Sequence, residues 1–314
     1  MTGYLFKRCC ELNKGANMKF GFLIDKKSVQ CDSLSIEPLP EFEDIKNCFY
    51  DKTKVSDGWV YGAEGELKKN SRELKNFKQR GPITCNISPF RMGSTHQIQM
   101  ANSDEEHLRF LIMGYGFLQG LFLLPEKYSY LWRIPYEPGK LNGLILCGND
   151  RENGMEQINY FYQNANSKER KQAFAIMHWF LIGQSYTSQW DKFEAQYKVL
   201  DGVFALSKFP KNPKIPHTQR PIKLATKYGI ILPQWAELNF NSRKSSKLSI
   251  LRNELIHEAK YNGEPIGYAH PPENYTLEFK AFNTKLICGV LGIDTPYLQT
   301  NPNTRDQFSW NIKI

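Results

Sequence analysis

The stretch LRNELIHEA, residues 251–259, brings Arg252, Asn253 and His257 within a turn and a half of helical periodicity. These side chains suit work on a phosphate. Arginine presents a planar fork of donors that matches phosphate oxygens and holds them harder as charge builds in a transition state. An imidazole with an ordinary pKa of about 6.5 takes up or returns a proton at neutral pH. The Asn253 amide can orient either the ring or the phosphate. Asn253 and His257, four residues apart, share one helix face. Arg252 precedes His257 by five, about 140° round an ideal α-helix, so the two do not stack automatically. A second copy of the helix facing the first would bring more groups to one phosphate. The competing reading pairs Arg252 with Glu258 or a neighbouring carboxylate and packs His257 against the surrounding helices.

The elements that must position this trio are helical. SSKLSILRNELIHEAKYNG has Ser245 or Ser246 as its N-cap and a buried stripe of Leu248, Leu251, Leu255 and Ala259. Asn262-Gly263 is expected to end it with a left-handed residue. Upstream, SKERKQAFAIMHWFLIGQSY opens on a capping candidate, Ser167, and WDKFEAQYKVLDGVFALSKF repeats aromatic and apolar residues at Phe193, Tyr197, Leu200 and Phe204. FPKNPKIPHTQRP reads as a Pro-rich connector. HTQRPIKLATKYG reads as a helix closed by Gly229, and a last helix spans Tyr275 to Val290. Five helices from residue 164 onward predict an all-α antiparallel bundle.

Residues 1–163 have a different texture. MKFGFLI, DGWVYGA, PITCNIS, YSYLWRI and KLNGLILCG are short aromatic or β-branched runs between turn residues, hence strands. SDEEHLRFLIMGYGFLQGLFLLPE reads as one helix with a Ser N-cap and acids in its first turn. The predicted fold is therefore an α+β region over 1–163 followed by the helical bundle over 164–314.

Charge narrows the partners. The chain carries a net +9, and the stretch from Lys208 to Lys260 holds eleven Lys or Arg against three acidic residues, a surplus of eight. Such a zone is the footprint of a polyanion, because each neutralised phosphate releases counterions. Within it Arg243, Lys244, Lys247 and Lys260 flank the motif as candidates for contacts to a nucleic-acid backbone. A solvated basic surface is the alternative.

R-N-x-x-x-H in LRNELIHEA, followed by YNGEPIGY, resembles the motif of the HEPN superfamily of helical ribonuclease domains. The wider run from KFEAQYKVLDGVFAL to LICGVLGIDTPYL is similar to its ApeA-like branch over roughly residues 165–300. The resemblance implies an antiparallel bundle, a homodimer with two motif helices facing each other, and metal-independent cleavage of RNA. Arg252, Asn253 and His257 would be catalytic, in prokaryotic antiviral defence or a toxin system. Related domains often carry a polar residue facing the site from the second helix, where this chain offers Glu194, Lys198 and Asp201. Asp201 sits in the apolar run KVLDGVF and needs a partner, either Arg252 or His257 or a turn capped with Gly202. Some members are silenced by AMP transfer to a Tyr two residues after the His. Here that position is Ala259 and the nearest phenol is Tyr261, which argues against such control.

Other constellations are weaker. Seven scattered cysteines (Cys9, Cys10, Cys31, Cys48, Cys85, Cys147, Cys288) without a C-x-x-C pair argue against a disulfide framework or zinc ribbon and for a cytoplasmic setting. No secretory leader is seen. FLIMGYGFLQGLFLLP is short for a bilayer and reads as a buried helix, so no membrane is expected. His178 reads as a core histidine, His107 lacks a partner at metal spacing, and His270 lies on a loop. MGYGFLQG lacks the G-K-[ST] ending of a phosphate loop. Trp59, Tyr61, Tyr128, Tyr130 and Trp132 read as core or interface. No metal or cofactor is expected. The expected partners are single-stranded RNA, as tRNA or mRNA, a second copy of the chain, and a regulatory protein or ligand at the N-terminal half. A non-catalytic RNA-binding module and a signalling dimer with a protein partner are the rival functions.

Overall fold

The computed structural model describes residues 16–23, 25–50, 55–56, 59–60, 94–126, 144, 149–186, 188–210, 212–239, 241, 244–268, 275–295 and 298. The strands expected at PITCNIS and YSYLWRI, most of KLNGLILCG, and Arg243, His270, Tyr61, Tyr128, Tyr130 and Trp132 lie outside these residues. The chain forms two compact units, Met1–Tyr115 with Leu123–Lys140, and Gly116–Phe122 with Leu141–Ile314. It is an α+β protein.

The first unit is built on an antiparallel sheet. Its strands are β1 (Ala16–Gly21), β2 (Val29–Gln30), β3 (Leu34–Pro38), β6 (His96–Met100) and β7 (Leu124–Pro125), in the order β2-β3-β6-β1-β7. A separate pair joins β4 (Val55–Ser56) to β5 (Trp59–Val60). Register follows the period of two: Met18 and Ile36 both face Ile98, and all three are buried. Helix α1 (Phe42–Tyr50) adds the buried Phe42 ring, which meets His96 edge-on at 5.5 Å. The Thr95 hydroxyl joins two buried groups, accepting from the Leu23 N–H and bonding His96 Nδ1, each at 3.0 Å.

Helix α2 (Glu105–Gln119) corrects two expectations. Asp104, not Ser103, caps it, accepting from the His107 N–H at 2.8 Å, while Ser103 Oγ donates to Met100 O. It also ends early, because Gly120 takes φ 68° and the following LFLLP runs on to β7. No described helix is long and apolar enough to cross a membrane.

The second unit is helical. It comprises α3 (Asp150–Asn164), α4 (Ser167–Ile182), α5 (Gln189–Leu206), α6 (Arg220–Tyr228), α7 (Lys247–Asn253) and α8 (Thr276–Leu291), with a hairpin of β8 (Lys260–Tyr261) and β9 (Glu264–Pro265). All five expected helices are present, α6 closed by Gly229 at φ 63° as anticipated. Helix α3, which the sequence boundary at 164 excluded, belongs to this unit. The cap of α4 is Asn166 rather than Ser167: Asn166 accepts from the Glu169 N–H, and the Glu169 carboxylate answers from the Asn166 N–H, both at 3.0 Å.

Helices α4 and α5, joined by a short 3-10 turn (Gly183–Ser185), pack closely as a helical hairpin. Gly202 makes that approach feasible, since a Cβ there would sit 2.7 Å from Ile176 Cγ1. Gly202 is thus a contact residue inside α5, not a turn capped by Asp201. Helix α8 packs on α5 through Asn283, whose Nδ2 donates to Gln196 O at 2.8 Å and Gln196 Oε1 at 2.9 Å. Beside this ladder lies an aromatic core. Phe193 meets Tyr261 at 5.4 Å and Phe279 at 5.5 Å, and Trp235 meets Phe279 at 5.4 Å.

Candidate active site

Helix α7 starts from a reciprocal cap, with the Ser249 N–H on Ser246 Oγ at 3.2 Å and the Ser246 N–H on Ser249 Oγ at 2.8 Å. Leu248 and Leu251 bury its inner face. Beyond Asn253 the winding changes. Glu254–Glu258 form a π-helical turn, and Ala259, at φ 52°, closes it with its N–H on Glu254 O. The α-helix expected to run to Asn262 therefore ends at Asn253. Asn262 and Gly263, at φ 55° and 84°, instead make the tight turn between β8 and β9. The predicted stripe loses phase at the same point: Leu255 is half-buried and Ala259 exposed.

The π turn resolves the angular problem of the motif. Its bonds join residues five apart, so a side chain five positions on is returned towards the same face. Arg252 Nη1 lies 3.3 Å from His257 Nε2 and donates to Asn253 Oδ1 at 3.0 Å. A guanidinium only donates, so His257 Nε2 accepts in this arrangement and carries no proton. Asn253 and His257 are exposed. Among the described residues no carboxylate pairs with Arg252, and Glu258 pairs with Lys260 at 3.2 Å. The hairpin fixes the far end of the turn: the Tyr261 ring is buried against Phe193, and the Gly263 N–H reaches Glu254 Oε2 at 3.2 Å. Burial pushes the Tyr261 phenol far up and removes it from modifying groups in solvent.

Behind Arg252 stands a second group. Its guanidinium lies 5.9 Å from the centroid of Tyr197 on α5, and Tyr197 stacks on His217 at 6.5 Å. His217 begins a 3-10 turn, His217–Gln219, that leads into α6 and packs against α7. Asp201, one turn beyond Tyr197, binds Arg220 Nη1 at 2.6 Å and lies 3.7 Å from His217 Nδ1. The expected partner of Asp201 was Arg252 or His257; the partner found is Arg220, which also lies over the Phe204 ring at 4.8 Å. Burial pushes the Tyr197 phenol up to about 12, with Asp201 adding and Arg252 and Arg220 opposing, so it stays neutral. Burial also lowers the His217 pKa; Arg220, Arg252 and Lys214 lower it further against Asp201.

The other candidates lie apart from this group. Lys198 is held by Glu194 at 2.9 Å and lies 4.0 Å over the Trp179 ring on α4. Lys247 donates to Asn262 Oδ1, which braces the hairpin turn. Lys260 pairs with Glu258, and Lys244 is exposed. Lys208 pairs with Glu169, so the basic zone is partly neutralised within the fold. His178 packs edge-on against Phe122 at 5.3 Å, its pKa lowered by burial. His107 is buried at the start of α2, and no three His, Cys, Asp or Glu among the described residues are grouped as a metal site. Cys31 and Cys288 are buried.

Sequence reasoning missed Tyr197, His217 and Arg220 as neighbours of the motif. Tyr197 looked like one more core aromatic, and His217 lay in a connector whose prolines carry no period. The four-residue step from Tyr197 to Asp201 was the available signal. Comparisons with family models, with characterised proteins and with solved structures find no match.

Proposed function

We propose that the chain is a metal-independent endoribonuclease of the HEPN type, its second unit the helical bundle of that superfamily. The observation that carries the reading is the contact of Arg252, at the end of α7, with both Asn253 and the exposed His257 of the π turn. RNA brings its own nucleophile, the 2′-OH. The enzyme must remove that proton, hold the charge of the phosphorane and protonate the departing 5′ oxygen. Arg252 holds the phosphate, His257 transfers a proton, and Asn253 orients one or the other. The products are a 2′,3′-cyclic phosphate and a 5′-OH end.

Single-stranded RNA, as in tRNA loops or mRNA, is the substrate class, drawn by the surplus of positive charge between Lys208 and Lys260. The chain acts as a homodimer in antiviral defence or as a toxin, and the first unit senses or restrains it. Incubation with bulk tRNA and mRNA in excess EDTA, followed by end mapping, tests the reading. Cyclic phosphate ends are expected from the wild type, with a loss of about 10²–10⁴-fold in His257→Ala and in Arg252→Ala. Salt-sensitive RNA binding without cleavage would replace the enzyme by a binding module.

A further inference from the structure

Transphosphorylation of RNA needs two proton-transfer groups, and His257 is one. A second imidazole stands behind Arg252 in the same chain. His217 is not on the motif helix, yet its 3-10 turn packs on α7, its ring stacks on Tyr197, whose ring also lies 5.9 Å from the Arg252 guanidinium, and the Arg252 charge acts on it. Its side chain is 42% exposed, so the ring has an open edge. On the inner edge Nδ1 faces Asp201 Oδ1 at 3.7 Å, and among the described residues Nδ1 has no hydrogen-bond partner. A carboxylate there favours the tautomer with the proton on Nδ1, which leaves Nε2 as the basic nitrogen. Arg220, bound to the same Asp201 oxygen at 2.6 Å, fixes the carboxylate.

Resting on the nuclease reading above, we propose that His217 is the general base of the cleavage, with Asp201 as its positioning residue and His257 as the general acid. His217 Nε2 takes the proton of the 2′-OH as the 2′ oxygen bonds to phosphorus. Arg252 leaves His257 for the phosphate oxygens, His257 picks up a proton from solvent, and it passes that proton to the 5′ oxygen as the P–O5′ bond breaks. The two rings exchange protons with water to reset. The groups facing His217 are Asp201 and Tyr197 from α5, Arg220 from α6, Arg252 from α7 and Lys214 from the connector. Their balance, with burial, keeps the ring unprotonated at neutral pH, the state a base requires.

The test uses the full chain in EDTA with a short single-stranded RNA and its twin bearing one 5′-bridging phosphorothiolate, whose thiolate leaves without being protonated. His257→Gln is expected to lose at least 100-fold on the native RNA and to recover most of that loss on the sulfur substrate. His217→Gln is expected to lose at least 100-fold on both and to lose the acidic limb of the kcat/KM profile. Recovery of His217→Ala by imidazole in the buffer separates lost chemistry from lost folding. Wild-type rates in His217→Gln, or its rescue by the sulfur substrate, overturn the assignment while leaving the nuclease standing. Absence of cleavage by the wild type overturns both.

Discussion

The residue of most consequence beside Arg252, Asn253 and His257 is Ala259. An alanine at φ 52° carries a Cβ against the following carbonyl, a cost of about 1 kcal/mol relative to glycine. It is tolerated because its N–H closes the π turn on Glu254 O and its carbonyl accepts from the Ile266 N–H at 3.0 Å. Ala259→Gly should therefore raise stability by up to about 1 kcal/mol in urea unfolding with cleavage unchanged. His96 offers a test in the first unit. Burial lowers its pKa from 6.5 to about 4, with Asp25 opposing. Its folded pKa lies below the unfolded one, so its contribution is complete above pH 6.5 and is lost as pH falls towards 4. Denaturant unfolding between those limits should show a loss on the order of 3 kcal/mol at most, which His96→Gln should flatten.

At the scale of elements, the approach of α4 to α5 depends on one missing side chain. Gly202→Ala would drive a methyl into Ile176 and should cost about 1–3 kcal/mol, read as a lower melting temperature. The sequence displayed these helices clearly, because Phe193, Tyr197 and Leu200 repeat at helical spacing and Gly229 punctuates. It also displayed the motif residues. What it concealed was the winding beneath them. Residues 251–259 have no glycine or proline to announce a π turn, and the turn is held from outside, by Tyr261 buried against Phe193 in the aromatic core. The Asn262-Gly263 pair was read as a helix stop although it is equally the mark of a two-residue hairpin. His217 was hidden because it arrives at the site by packing across α5 and α7, a relation no local pattern encodes.

For the whole molecule, the segment around the site is unusually apolar for a surface. Ile256 is 51% and Tyr268 84% exposed, and Ile250 and Ile266 are exposed as well. A second copy of the chain meeting this segment accords with the proposed homodimer. Ile256→Asp with Tyr268→Ala should then shift sedimentation towards the monomer. If each chain carries its own base and acid, a monomer so produced should keep cleavage of short RNA. Loss of that cleavage together with the dimer would place the second proton-transfer group on the partner.

The π turn gives the spacing of the motif a meaning beyond its letters. A chain of this architecture with one residue fewer between Glu254 and Glu258 would wind as an ordinary α-helix, and its histidine would come back a residue early, four places after the arginine. Gain or loss of a single codon in this turn would therefore join or part the arginine and the histidine while the core remains intact.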